Sequence, residues 1–179
     1  MKTDLSKYNN KWYNPGNKLS CFLWFIVNAI FMQSKLNPFS GLKVLLLRIF
    51  GAEIGKGVVI KPGVNVKYPW KLILGDHVWI GEDVWIDNLD DVIIGSNVCL
   101  SQGVMLLCGN HNYKKPSFDL MIGTIIIEDG VWIGAKSIVT QNVFCESHSV
   151  LVVNSVASSN LESYTIYRGN PAKKLNDRI

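Results

Sequence analysis

The chain lacks the features that hold secreted and membrane-spanning proteins in place. Its four cysteines among 179 residues include no CxxC pair, and this density is far below that of a small disulfide scaffold. The apolar runs at residues 21–32 and 42–50 are shorter than the roughly 20 residues that a membrane-spanning helix needs. The first run also ends without the small-residue cleavage site of a secretory signal. These absences predict free thiols in a reducing, cytoplasmic compartment.

Acidic residues are nearly absent from the N-terminal part of the chain. Residues 1–50 contain seven Lys and Arg residues against a single acid, Asp4, whereas residues 51–179 contain eleven against thirteen. The basic residues flank the two apolar runs, and Trp12 and Trp24 lie among them. We expect residues 1–50 to form short helices that pack on residues 51–179. They would serve either as a simple cap or as a peripheral contact with anionic lipid at the inner face of the cytoplasmic membrane.

Local motifs for nucleotide or hydrolase chemistry are also missing. The sequence has no P-loop, no GxGxxG and no GxSxG, which are the usual signs of a phosphate-binding loop, a dinucleotide fold and a serine hydrolase. No nucleic-acid-binding motif is present either. We therefore expect no nucleic-acid partner.

What the chain does contain is a six-residue repeat that starts at Ile54 and continues almost to the C-terminus. An aliphatic residue opens each unit, often followed by a small or acidic one, as in Ile80-Gly81 and Ile133-Gly134. Neither a helix nor an open sheet returns to the same environment every six residues over such a length. The repeat predicts an all-β solenoid, a parallel β-helix.

Three hexapeptides per turn of a triangular prism bring the repeats into register as five coils. A long interruption at residues 109–124 leaves one corner and must be an external loop. The predicted inward residues, coil by coil, are Ile54, Ile60 and Val66, then Leu74, Ile80 and Ile86, then Ile94, Leu100 and Leu106, then Ile127, Ile133 and Val139, then Cys145, Leu151 and Ala157.

Strand alternation makes the residue before each inward aliphatic point outward. Many of these outward positions are apolar, and too many of them to face water. Other subunits are expected to cover them, so we predict a homotrimer. The predicted outward ladders are Ile73, Ile93, Ile126 and Phe144 on the first face and Val59, Trp79, Cys99, Trp132 and Val150 on the second.

Two polar residues are candidates for catalysis at the corner where the long loop leaves. His111 comes five residues after the inward Leu106, and Asn88 comes two residues after the inward Ile86, one coil earlier. This register predicts that His111 and Asn88 can reach one bound ligand. An imidazole with a pKa near neutrality is suited to removing a proton from a hydroxyl group.

Zinc is the competing interpretation of the histidines, because some β-helix enzymes hold zinc through three of them. His77 and His148 occupy turn positions of their hexapeptides and are expected to be solvated. Together with His111 they belong to coils two, three and five, so one subunit cannot bring them to a single ion. We predict no metal site.

The repeats, the loop with His111, the segment IEDGVWIGAK at 127–136 and the ending RGNPAK at 168–173 together resemble the hexapeptide-repeat acyltransferases. Within them the chain is most similar to the colanic acid biosynthesis acetyltransferases and, more distantly, to the maltose and galactoside O-acetyltransferases. The resemblance covers residues 40–175. It implies a left-handed β-helix, a trimer with active sites between subunits, and transfer of acetyl from acetyl-CoA to a saccharide hydroxyl in exopolysaccharide or surface-glycan synthesis.

The resemblance also implies roles for individual residues. His111 matches the general base of the family, and Asn88 matches an asparagine that holds the acceptor, which could be a lipid-linked or nucleotide-linked saccharide. Ala135 stands where the family usually has serine, and the glycines and Thr-Lys pair of the late coil are absent from residues 151–160. The residues implied for the acetyl-CoA site are Trp132, Gly134, Ala135, Ser158, Ser159 and Lys173.

Two other function classes stay open at this point. A non-catalytic β-helix scaffold would keep the repeats but would not need a histidine and an asparagine at one corner. A zinc-dependent hydratase of the same fold would need zinc. In each case residues 1–50 would be a helical segment and residues 51–179 the β-helix.

Overall fold

A triangular prism of short parallel strands makes up most of the molecule, for which a computed structural model describes residues 1–179. The coils are left-handed, against the usual right-handed crossover between parallel strands. The strands are β1 (Glu53–Ile54), β2 (Val59–Ile60), β3 (Asn65–Val66), β4 (Leu72–Leu74), β5 (Trp79–Ile80), β6 (Trp85–Asp87), β7 (Val92–Ile94), β8 (Cys99–Leu100), β9 (Met105–Leu107), β10 (Gly109–His111), β11 (Leu120–Ile122), β12 (Ile125–Ile127), β13 (Trp132–Ile133), β14 (Ile138–Thr140), β15 (Phe144–Cys145), β16 (Val150–Leu151), β17 (Val156–Ala157), β18 (Thr165–Gly169) and β19 (Ala172–Asp177).

Three parallel sheets form the faces of the prism. The first face has the order β1-β4-β7-β12-β15, and the third has the order β3-β6-β9-β14-β17. The second face runs β2-β5-β8-β13-β16-β18, with β19 pairing antiparallel to β18 at its end. The register places Trp79 beside Cys99 and Cys99 beside Trp132, and Ile93 beside Ile126. The register of both predicted outward ladders is confirmed, but Val150, which was predicted to face outward beside Trp132, is buried.

The inward positions form the core. Fourteen of the fifteen predicted inward residues are buried, and Ile54, on the first coil, is partly buried against them. A second inward series was not predicted: a valine two residues before an inward aliphatic, as at Val78, Val84 and Val98, is also buried. The residue before each of these valines turns the chain with a positive φ, which is 58° at His77.

The prism extends beyond the five predicted coils by part of a sixth. Leu161 forms a parallel bridge with Cys145 on the first face, and β18 adds a strand to the second face. Leu161-Glu162 has the aliphatic-acidic form of the repeat, but the next inward position carries the aromatic Tyr167, which is 7% exposed. The repeat of inward aliphatic residues therefore stops before the last parallel strand, β18, is added to the prism.

Two short helices precede the prism. Helix α1 (Lys18–Val27) continues into a wider helical turn at Asn28–Met32, and helix α2 (Ser40–Ile49) follows. The side chain of Asn17 caps α1 by accepting hydrogen bonds from the backbone N–H groups of Leu19 and Ser20. No helix in the structure combines the length and the apolar character needed to cross a membrane.

The helices complete the hydrogen bonding of the first coil. No strand lies beyond this coil, so backbone groups along its open edge need partners from elsewhere. Polar side chains of both helices supply them. The bonds are Trp24 Nε1 to Val66 O at 2.8 Å, Ile60 N to Ser40 Oγ at 2.8 Å, Lys43 Nζ to Lys61 O at 2.8 Å, and Arg48 Nη2 to Ile54 O at 2.7 Å and to Gly55 O at 2.9 Å.

Candidate active site

The predicted external loop is an antiparallel hairpin at one corner of the prism. Strands β10 and β11 pair between β9 and β12, with His111 opposite Leu120. The base of the hairpin is fixed by Cys108, whose N–H donates to Asp87 O at 3.2 Å and whose carbonyl accepts from Gly123 N at 3.0 Å. We call the corner between the third and first faces, where this hairpin leaves, the hairpin corner.

His111 is held in one tautomer by the hairpin. Its Nδ1 lies 3.0 Å from the carbonyl oxygen of Phe118, and a carbonyl can only accept, so Nδ1 carries the hydrogen of this bond. The imidazole also stacks on the Phe118 ring, with 4.4 Å between centroids and 9° between planes. Tyr8 packs on it at 5.7 Å. Nε2 is therefore left with a free lone pair, which is the form that a general base requires.

Asn88 lies at the hairpin corner, as predicted, but its side chain turns into the prism. It is fully buried. Its Oδ1 accepts from Tyr68 N at 2.9 Å, and its Nδ2 donates to Tyr68 O at 2.6 Å. Both polar atoms of the amide thus hold the corner of the preceding coil in place.

Asp87 is the outward polar side chain at the same corner, and sequence reasoning missed it. Strand alternation places Ile86 inward, Asp87 outward and Asn88 inward, so the signal was present in the repeat. The Asp87 carboxylate lies 2.8 Å from Lys67 Nζ. A Cβ at Gly109 would be 3.8 Å from Asp87 Oδ2, which places the carboxylate beside the base of the hairpin.

A hollow between α1 and the third face opens next to Asp87. Its walls include the aromatic side chains of Trp24, Phe25 and Trp85, and Lys67 and Asp87 contribute an ion pair. An aromatic surface beside a few fixed donors and acceptors is a common arrangement in sites for polar organic ligands. No residue of the hairpin lines this hollow, and His111 lines a second one together with Tyr113 and Lys114.

Cysteine chemistry at the corner is disfavoured by burial. Cys108 lies three residues before His111 but has no exposed surface, and burial raises the pKa of its thiol from 9.0 to about 12. The thiolate is the nucleophilic form of cysteine. Cys108 therefore stays a protonated thiol at neutral pH and is unsuited to carrying an acyl group.

The residues matched to the acetyl-CoA site lie at two different corners of one prism. Trp132 is half exposed on the second face and donates from Nε1 to Ser101 Oγ at 2.9 Å. Gly134 and Ala135 follow it at the corner between the second and third faces, which we call the Gly134 corner. A Cβ at Gly134 would lie 2.5 Å from Val153 N, so this corner admits only glycine.

Ser158 and Ser159 follow β17, which places them at the hairpin corner, two coils beyond the departure of the hairpin. Both are exposed. Lys173 is exposed on β19, opposite Arg168. One chain therefore brings the serines and His111 to one corner, and Trp132, Gly134 and Ala135 to another.

The remaining histidines lie apart from the hairpin. His77 is exposed in its turn, and His148 stacks on Tyr164 with 4.8 Å between ring centroids. No group of three or more His, Cys, Asp or Glu side chains is placed to hold a metal ion.

Comparison with known proteins gives the family. No protein-family model matches the chain. Over 177 residues it is 33% identical to an Escherichia coli (strain K12) protein provisionally named colanic acid biosynthesis acetyltransferase WcaF, an alignment that covers 98% of this chain and 97% of that protein. It is 24% identical over 144 residues to the galactoside O-acetyltransferase of the same strain, covering 74% and 68% of the two chains.

Among solved structures, the hexapeptide-repeat acetyltransferase VCA0836 of Vibrio cholerae O1 biovar eltor, complexed with acetyl-CoA, has the same fold. The TM-score is 0.79 at 21% identity, and the superposition covers 90% of this chain and 87% of that one. The coils, the external hairpin and the 33% identity to WcaF over nearly the full length show that the chain belongs to the hexapeptide-repeat acetyltransferase family.

Proposed function

We propose that the protein transfers an acetyl group from acetyl-CoA to a hydroxyl group of a saccharide, in the synthesis of an exopolysaccharide, capsule or other surface glycan. The observation that carries the proposal is the His111 imidazole, whose Nδ1 is bonded to the Phe118 carbonyl at 3.0 Å. Membership of the family supplies acetyl-CoA as the co-substrate. The names of the colanic acid and galactoside relatives support a saccharide as the acceptor.

In the proposed reaction His111 is the general base. Its Nε2 takes the proton of the acceptor hydroxyl while the oxygen attacks the thioester carbonyl carbon. A backbone N–H at a coil corner stabilises the oxyanion that forms. The C–S bond then breaks, and the imidazolium returns its proton to the departing CoA sulfur. The transfer is direct, in keeping with the buried thiol of Cys108.

For the acceptor we propose the hollow between α1 and the third face. Trp85 offers a partly exposed aromatic surface, and Asp87 offers a carboxylate beside the hairpin. Asn88 would influence the acceptor indirectly, because its amide fixes the backbone of Tyr68 and hence the shape of the corner. The acceptor saccharide would be lipid-linked or nucleotide-linked.

We further propose a homotrimer, with acetyl-CoA in the cleft between two prisms. Trp132, Gly134 and Ala135 of one copy would line one side of this cleft. The hairpin corner of the next copy, with Ser158 and Ser159, would line the other, and Lys173 would meet a CoA phosphate. The separation of the two corners within one chain supports this arrangement. We place the enzyme in the cytoplasm, with residues 1–50 touching the inner face of the cytoplasmic membrane.

The test is a thiol-release assay with acetyl-CoA against a panel of sugars and nucleotide sugars. His111→Ala should lower turnover by at least about a hundredfold, the low end of general-base effects, because no other free imidazole lies at the hairpin. Acetyl-CoA binding, measured by calorimetry, should stay nearly intact. His77→Asn is the matched control, since it changes an exposed turn histidine and should leave turnover unchanged.

Near-normal turnover of His111→Ala would remove this residue as the base. An unaltered protein that binds no CoA in the calorimeter would instead favour a non-catalytic scaffold.

A further inference from the structure

Helices α1 and α2 are apolar on both sides. Their inner sides bury Trp24, Met32 and Leu47 in the core, together with the polar Asn28 and Lys43. Their outer sides carry large apolar residues, of which Phe25 is 71% and Ile49 is 67% exposed. We call this surface the outward helical face. It consists of Leu19, Phe22, Leu23, Phe25, Ile26, Ile30 and Phe31 from α1 and its extension, and Leu42, Leu45 and Ile49 from α2.

The outward helical face is continuous rather than scattered. The segment that connects the two helices adds Leu36, which is 92% exposed, and Phe39, which is 70% exposed. Single exposed apolar residues are normal on soluble proteins, but a contiguous apolar patch marks a surface that meets another apolar phase. A surface helix of a water-soluble protein has the opposite arrangement, with its polar side outward.

The charges around the outward helical face favour a lipid bilayer as the apolar phase that this face meets. Between Asp4 and Glu53 the sequence contains no acidic residue. Lys18 is exposed at the first residue of α1, whereas Lys11 and Trp12 are exposed on the preceding segment, beside Leu120 and Met121 of the hairpin. An apolar helix face in a segment with exposed lysines and no acidic residue is the form of segments that lie in the interface of an anionic bilayer.

The length of the helices sets their orientation in such a bilayer. Each of α1 and α2 has ten residues, about half of what a spanning helix needs. They would therefore lie in the plane of the membrane, with only their outer sides among the acyl chains.

We propose that the outward helical face docks on an anionic lipid bilayer, with the first coil of the prism nearest the lipid. The helices contact that coil through Trp24, Ser40 and Lys43, so its end of the prism is the end nearest the membrane. The hairpin leaves the third coil, which the strand spacing places about 10 Å farther along the axis. Where the proposed function holds, His111 then stands within reach of a saccharide attached to a membrane lipid.

The experiment is co-sedimentation of the full chain with vesicles of phosphatidylcholine alone and with added phosphatidylglycerol. The unaltered protein should sediment with the anionic vesicles, and added salt should weaken this binding. Phe22→Gln combined with Phe39→Gln should lower the partitioning by at least about tenfold, because two aromatic side chains that line no part of the acceptor hollow leave the acyl region. The matched control, Val153→Gln combined with Leu175→Gln, changes exposed apolar residues of the prism and should bind as the unaltered protein does.

Unaltered circular dichroism and melting temperature should accompany the loss of binding in the Phe22/Phe39 variant, and Lys18→Gln provides a second, milder variant. The proposal is overturned if the unaltered protein stays in the supernatant with both vesicles, or if the phenylalanine variant binds normally. It is also overturned if the variant changes only the mass measured by light scattering, since the face would then be an interface between copies. Turnover of a soluble saccharide should not change in either variant, which separates this test from that of His111.

Discussion

The N-terminal helices and the strands of the prism differ in the side chains that they bury and expose. In the prism aliphatic side chains such as Leu100 and Ile133 face inward with no exposed surface. In the helices the buried side combines the apolar Trp24 and Leu47 with the polar Lys43 and Asn28, and the exposed side is apolar. The difference shows that the side of an element that turns inward depends on what it meets there, and not on hydrophobicity alone.

The inner sides of the helices meet the open edge of a sheet. Unpaired N–H and C=O groups on the first coil would bind water or another strand edge if nothing covered them. Side chains of Trp24, Ser40, Lys43 and Arg48 satisfy these groups instead. The same contacts prevent a second prism from stacking on this end, so these four side chains protect against aggregation as well as stabilising the fold.

The largest expected effect comes from one substitution made in both regions. Leu100→Ala leaves a cavity at a fully buried inward position and should lower the free energy of unfolding by about 2–5 kcal/mol. Leu45→Ala, on the outer side of α2 where the leucine is 53% exposed, should change it by less than about 0.5 kcal/mol. Equal losses in denaturant titrations of the two variants would contradict the contrast between the regions.

Alkaline pH should weaken the prism through its buried thiols. Burial raises the pKa of Cys108 and of Cys145 from 9.0 to about 12. Above pH 9 the unfolded chain loses these protons while the folded chain keeps them, so the folded state binds more protons and its stability falls as the pH rises toward 12. The free energy of unfolding, followed from pH 8 upward, should show this decline, and Cys145→Ala should make it shallower. A slope unaffected by Cys145→Ala would exclude this thiol as a contributor.

A smaller effect is expected at the inner side of α2. Lys43→Met keeps the length of the side chain but leaves the carbonyl of Lys61 without its donor, and the loss should be about 1 kcal/mol. Burial lowers the pKa of Lys43, so part of the cost of the lost bond is offset by removing a desolvated charge. Lys18→Met, at an exposed position of α1, is the control and should be neutral. A stabilised Lys43→Met variant would show that this lysine does not cap the first coil.

The predictable part of the fold depends on a local pattern. Each inward residue from Ile60 to Ala157 could be assigned because the six-residue period repeats a single local choice, and the outward ladders followed from strand alternation. The same alternation, applied one residue further, would have identified Asp87 as the outward group and Asn88 as the inward one. The partial sixth coil was missed because Tyr167 replaces the expected aliphatic residue.

The sequence by itself determined the solenoid, its register and the corner from which the loop with His111 leaves, since these depend on spacing along the chain. The tertiary structure decided the tautomer of His111, the inward turn of Asn88 and the burial of Lys43 in α2. Each of these depends on a partner distant in sequence or position: the Phe118 carbonyl across the hairpin, the Tyr68 backbone one coil earlier, and the open edge of the first coil. The repeat period and the composition do not predict which of these hydrogen-bonding groups the folded chain brings together.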